Sequence, residues 1–265
     1  MLISAGKSTF KEYPKNLKFL KEYIKQYLDD SSKMLLDETY GKIKAMVNSP
    51  RRNKGPIAWK ISLTRGRPLT FKESSEGRFK LHIDLSCEIE GNVDSLNSDQ
   101  ITITKYNVSV RIWSHQKEIS YREGIDDPKL ERELGNRNWR RVISRWHMDL
   151  REFNTRKPEP LYHLHFGGRT EDNEYCWIPE KLEEPRFCCF PMDIVLLCEF
   201  ILVNFFPEES ANLRKKSEWK KLVQKSQHLY VKPYFEQLKK FLNNDSDTLL
   251  GHLSTYKRGG GSING

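Results

Sequence analysis

At 265 residues the chain is long enough for one large domain or two small ones. Only 37% of it is hydrophobic, but six Trp, eleven Tyr and thirteen Phe supply bulky core material, which excludes disorder of the whole chain. Its longest apolar stretch, 191–206, is broken by Asp193, Glu199 and Asn204 and falls short of the roughly 20 residues that a membrane span needs.

The first residues carry no apolar run of the signal-peptide kind, so the expectation is a cytoplasmic protein without membrane contact. Lys and Arg number 45 against 36 Asp and Glu, and the resulting charge of +9 favours a polyanion or an acidic protein as partner. Five cysteines, an odd number without C-x-x-C spacing, fit a reducing compartment better than a disulfide framework. No Cys/His group has the spacing of a structural zinc site, and the sequence calls for no cofactor.

In chain order, the first 47 residues read as helical. Tyr13, Leu17, Leu20, Ile24, Tyr27 and Leu28 form an apolar stripe at helical spacing, with Lys11, Lys15, Lys18, Lys21 and Lys25 on the opposite side. A second helix is predicted over 33–47, ended by Asn48-Ser49-Pro50, and a basic linker follows at 51–56. From Ile57 the apolar period becomes two, which marks strands. Strands are predicted from Ile57, over 79–90 with Phe79, Leu81, Ile83, Leu85, Cys87 and Ile89 inward, and over 101–113 with Tyr106, Val108, Val110 and Ile112 inward. A fourth spans 138–150 with Val142, Trp146, Met148 and Leu150 inward, and a short fifth spans 161–166 with Tyr162, Leu164 and Phe166 inward.

Helices then return. Asp193 caps one that runs through Phe206, another begins near Ser217 and is kinked at Pro233, and a last one covers 247–256. The predicted fold is α+β: an antiparallel four- to five-stranded meander with helices on one face and a wet polar face opposite. The expected division is a helical extension over 1–50, an α+β domain over 51–257 and a flexible tail over 258–265.

Three groups of residues could carry chemistry. Residues two apart on a strand project together, so Arg141, Arg145, His147, Asp149 and Arg151 share the outward face of the fourth strand. His163 and His165 share that of the fifth. Guanidinium forks bind phosphate bidentately, which makes Arg141, Arg145 and Arg151, with His147 and His163, a candidate nucleic-acid surface. The plainer reading is a solvated face with ion pairs to Asp84, Glu88 or Glu90. If the two strands pair, His147, Asp149, His163 and His165 converge as the ligands of a metal-dependent hydrolase, although three arginines on the same face oppose a dication. Finally, Cys176 lies 11 and 13 residues after His165 and His163, which could lower the pKa of its thiol; a buried, inert thiol is the alternative.

Two resemblances add to this. Trp146-His147-Met148-Asp149, Tyr162-His163-Leu164-His165-Phe166-Gly167-Gly168, Pro185-Arg186-Phe187 and Pro191-Met192-Asp193 before an apolar helix ending Asn204-Phe205-Phe206 together resemble a pattern in uncharacterised bacterial proteins. Those proteins occur near mobile elements and antiphage defence genes, so the resemblance implies a conflict-system setting. The order of helix, meander, Cys-bearing loop and closing helices is similar to ubiquitin-conjugating E2 enzymes and their non-catalytic RWD relatives. Here His163-Leu164-His165 stands where the enzymes carry His-Pro-Asn, so an asparagine for an oxyanion is missing.

The leading expectation is a non-catalytic accessory component of a bacterial defence or mobile-element system that binds nucleic acid or an acidic protein through a basic sheet face. The alternatives are an E2-like enzyme with Cys176 as acceptor and a metal-dependent nuclease or hydrolase.

Overall fold

The structure, a computed structural model, describes residues 9–49, 55–74, 81–97, 101–115, 140–150, 162–166 and 187–243. A single turn, Phe10–Glu12, leads into α1 (Tyr13–Ile24), and α2 (Asp30–Asn48) follows. Asp29 caps α2 by accepting the Ser32 N–H at 2.7 Å, which satisfies one of the free donors of its first turn. The six residues of the predicted stripe, Tyr13 to Leu28, are all buried.

Among the described residues seven strands form one sheet: β1 (Ile57–Leu63), β2 (Leu69–Ser74), β3 (Leu81–Val93), β4 (Thr102–His115), β5 (Arg140–Leu150), β6 (Tyr162–Phe166) and β7 (Phe187–Cys188). Every pairing is antiparallel, in the order β1-β3-β4-β5-β6-β7. β2 also pairs with β3, on its Leu81–Leu85 end, whereas β1 takes the Cys87–Val93 end. β1 and β2 are therefore two halves of one edge, interrupted at Thr64–Pro68. The meander of β3 to β6 is as predicted, and the strand count exceeds the expectation by β2 and β7. Both escaped the alternation because β2 offers only Leu69 and Phe71 as apolar positions and β7 is two residues long.

Past the sheet come α3 (Ile194–Phe205), α4 (Ala211–Lys215), α5 (Ser217–Ser226) and α6 (Lys232–Leu242). Asp193 does cap α3, accepting the Leu196 N–H at 3.0 Å. Pro233 has no N–H to give to the preceding turn, and the helical run widens into a π-turn over Gln227–Val231 just before it. The predicted helix at 247–256 lies outside the described residues.

One hydrophobic cluster joins the elements. Ile61, Leu63, Phe71, Ile83, Leu85, Ile89, Val108, Val110 and Met148 of the sheet share it with Leu20 and Ile24 of α1, Leu36 and Ile43 of α2, Leu197 and Ile201 of α3, and Trp219 of α5. The N-terminal helices thus belong to the same core as the sheet, so residue 50 does not separate two cores. Polar links tie the same pieces: the Thr70 N–H donates to Ser32 Oγ at 2.7 Å, and the Tyr27 hydroxyl donates to the Glu209 carbonyl at 3.0 Å.

The opposite face departs from the expectation of a wet surface. Asp84, Ser86, Ser109, Arg145 and His163 are all buried there. A buried charge must be partnered, and the register supplies partners in rows that cross the strands. One row is Thr70, Asp84, Arg111, Arg145; the next is Ser86, Ser109, His147, His165; the third is Ser62, Glu88, Asn107, Asp149, His163, Cys188.

Candidate metal centre

All three rows reach β5, and two of them continue onto β6, where the titratable residues gather. His147 and His165 are direct cross-strand partners, and so are Asp149 and His163. Directly opposed side chains on an antiparallel pair lie about 4.5–5.5 Å apart at Cβ, and the alternation of each strand sends all four to one face. Neither strand alone makes the site; the register between them does.

Nε2 of His147 lies 3.1 Å from Oδ1 of Asp149, and Nε2 of His165 lies 3.4 Å from Oδ2. The imidazole rings of His147 and His165 are 4.7 Å apart at their centroids, inclined at 60°. One ligand atom from each of His147, Asp149 and His165 falls within 4.8 Å of the other two. The contact between His147 and Asp149 is short but oblique: Nε2 of His147 is buried and makes no aligned hydrogen bond. A buried ring nitrogen left in that state lacks the partner its lone pair or proton requires. The side chains are 13%, 21% and 19% exposed in the order His147, Asp149, His165, enough to be reached from solvent while being largely dry.

Electrostatics favours ligand forms. Burial lowers the His147 pKa; Asp149 opposes the shift through contact and charge, and Arg145 and His165 reinforce it. His147 is therefore a neutral imidazole at neutral pH, as metal ligation requires. Burial works against ionisation of Asp149, yet the contacts and charges of His147 and His165 outweigh it and hold the carboxyl well below its ordinary range. The nearby Cys189 thiol is pushed up to about 12 by burial first and then by the charges of Cys188 and Asp149, so it stays protonated. Cys188 and Cys189, like Cys87 and Cys198, are free thiols.

Of the four residues predicted as metal ligands, the structure brings three together. His163 stands apart from that group: it is buried, and its ring stacks beside His165 at 5.9 Å.

The arginine surface fares differently. Arg145 is 3% exposed and donates from Nε to Ser109 Oγ at 3.1 Å, so it is part of the buried rows and not an open phosphate contact. Between Arg145 and Arg141 the register slips: Ile112 pairs with Ser144 but Trp113 pairs with Val142, leaving Ile143 as an extra residue. Such a bulge interrupts the two-residue alternation, so Arg141, opposite Ser114, is not in the row pattern that Arg145 and His147 follow. Arg151 and Cys176 lie outside the described residues. The ion pairs expected between this face and its arginines form in part. Arg111 donates to Asp84 at 3.3 Å, while Glu88 is paired by Lys60 and Lys105 at 2.5 Å each, and Lys60 also reaches Glu90 at 2.8 Å.

Arg111 and Ser109 were missed as members of this face. The available signal was a lone arginine and a serine alternating with Val108, Val110 and Ile112 in β4. Compared with family models, with curated proteins and with solved structures, the chain matches none.

Proposed function

We propose that His147, Asp149 and His165 hold one divalent transition-metal ion and that the protein is a metal-dependent hydrolase of phosphate esters. The observation that carries this is the convergence of two imidazoles and one carboxylate within 4.8 Å on paired, rigid strands. Two imidazoles with one carboxylate is a set that catalytic zinc uses, with the fourth position left for water. An ion so held lowers the pKa of that water to near 7 and polarises the phosphoryl oxygen of a substrate. His147 and His165 supply nitrogen donors of borderline softness, which suit zinc better than manganese or magnesium. Asp149 would supply the oxygen donor and neutralise part of the ion's charge.

One further feature supports phosphate as the substrate class. The chain as a whole carries a charge of +9, which attracts polyanions. The setting implied by the resemblance to proteins found beside mobile elements agrees, because nucleic acid is the phosphodiester met there.

Calorimetric titration of chelator-stripped protein with Zn²⁺ and Mn²⁺ tests the reading. One ion per chain is expected, with binding weakened at least about a hundredfold in His147→Ala and Asp149→Ala, since each removes a direct ligand. Hydrolysis of bis(p-nitrophenyl) phosphate should require the ion and vanish in Asp149→Ala, with circular dichroism showing that the variant is folded. Absence of binding by either ion overturns the proposal.

A further inference from the structure

Eight large hydrophobic side chains are exposed among the described residues, and four of them take part in ring contacts with one another: Phe166 of β6, Phe187 of β7, Phe190, and Phe235 of α6. They are 37–52% exposed. Scattered exposed apolar residues need no explanation, but several grouped together mark an interaction surface.

The group is held together by ring contacts. Phe166 meets Phe187 edge-on at 6.3 Å, Phe190 meets Phe235 at 6.0 Å, and Tyr234 meets both Phe235 at 5.5 Å and Tyr162 at 6.1 Å. Beneath them Trp146 packs on Phe166, Phe200 and Phe205, so the shelf is anchored in the core. Anchored rings lose little freedom when something stacks on them.

The charge on this shelf decides what it fits. On α6, Lys232, Phe235, Lys239 and Leu242 follow one another at three, four and three residues, which puts them on a single helical stripe, and all four are exposed. Lys240 is exposed beside it, and the nearest acidic residue of the helix, Glu236, faces Lys232 at 3.6 Å. A stripe that alternates ammonium groups with apolar side chains, next to exposed rings, offers the two contacts that an unpaired strand takes, cations for its phosphates and rings for its bases. A protein partner would need no such alternation.

We infer that the Phe166–Phe187–Phe190–Phe235 shelf binds single-stranded nucleic acid, with bases stacked on the phenylalanines and phosphates facing Lys232 and Lys239. Phe166 follows His165 on β6 and takes the other face of the sheet, so the shelf and the proposed metal centre lie on opposite faces. Binding depends on the shelf alone and proceeds without metal, which separates this inference from the hydrolase reading.

The test uses fluorescein-labelled oligo-dT and oligo-U of twenty nucleotides with the full chain in EDTA, followed by fluorescence anisotropy across a salt series. Saturable binding at 50 mM salt is expected. Phe187→Ala/Phe235→Ala should weaken it roughly tenfold or more, the loss expected from removing one or two stacked bases. Phe187→Tyr/Phe235→Tyr, which keeps the rings, should restore it. Lys232→Gln/Lys239→Gln should flatten the log–log salt dependence by about 1.4, the value for two lost phosphate contacts on a single strand. Absence of binding to either oligonucleotide overturns the inference, as does equal affinity of the Ala variant. Sedimentation showing that the chain self-associates, and that Phe187→Ala/Phe235→Ala abolishes this, overturns it in favour of an interface between copies. Loss of metal binding in His147→Ala with intact oligonucleotide binding would leave the shelf standing and bear only on the metal centre.

Discussion

On the helix-covered face of the sheet, Ile83, Leu85 and Ile89 are wholly buried within one hydrophobic cluster. On the other face their immediate neighbours in β3, Asp84 and Ser86, are 2% and 6% exposed, yet they are polar. The first face is held by the removal of apolar area from water, which is non-directional and tolerates small shifts. The second is held by partners at defined register: Thr70 Oγ1 donates to Asp84 at 2.8 Å, Arg111 donates to the other oxygen of the same carboxylate, and Arg145 donates to Ser109. Alternation along a strand thus tells which face helices cover. It does not tell that the other face is open. A dry polar face is also a place where charges act strongly on one another, and the His147–Asp149–His165 group lies at its end.

The comparison can be broken from either side. Phe71→Ala, at a fully buried ring of the apolar face, should cost about 4 kcal/mol by urea unfolding, because it removes a large side chain and leaves a cavity. Asp84→Ala, on the polar face, should cost about 3 kcal/mol, since the largely buried Arg111, 12% exposed, loses this carboxylate; a loss near zero would mean that this face is hydrated after all.

A related effect of similar size sits where the apolar face meets α3. Burial raises the pKa of Asp193 to about 6, against the hydrogen bonds from Leu196 and Ser226 that stabilise its charged form. A carboxyl whose folded pKa lies above its unfolded value binds its proton more tightly when folded. Its ionisation therefore costs stability as pH rises from about 4 through 6. Measured against Asp193→Asn, the wild type should lose roughly 3 kcal/mol of relative stability between pH 4 and pH 7, from about two pKa units. A difference that does not change with pH would contradict the burial of this carboxyl.

The smallest effect is steric. A Cβ at Gly91 would stand 2.4 Å from the Thr102 carbonyl oxygen and 2.7 Å from the Trp59 ring. Gly91→Ala should cost about 2 kcal/mol through the forced shift of β4 or the indole, read as a lowered Tm.

Much of the apolar face was legible in the sequence. The runs Ile83-x-Leu85-x-Cys87-x-Ile89 and Tyr106-x-Val108-x-Val110-x-Ile112 state their period without help from anything distant, and the Tyr13–Leu28 stripe does the same for the first helices. β2 and β7 did not show because pairing with β3 and β6, not local pattern, makes them strands. The site was half legible. Two-residue spacing put His147 with Asp149 and His163 with His165, but only register decides which of the two histidines on β6 meets the pair on β5. Register also carries the bulge at Ile143, which no composition rule reveals and which took Arg141 out of the series. Burial of Arg145 was hidden for the same reason: its partner Ser109 is 36 residues away.

The most direct measurement is the visible spectrum of the stripped protein titrated with Co²⁺, a zinc surrogate with its own absorption. Two imidazoles and one carboxylate from His147, Asp149 and His165 predict one equivalent of Co²⁺ giving d–d bands of low-coordinate geometry, displaced by Zn²⁺ and absent in Asp149→Ala. A spectrum that stays that of the hexaaqua ion up to excess Co²⁺ would contradict the metal centre.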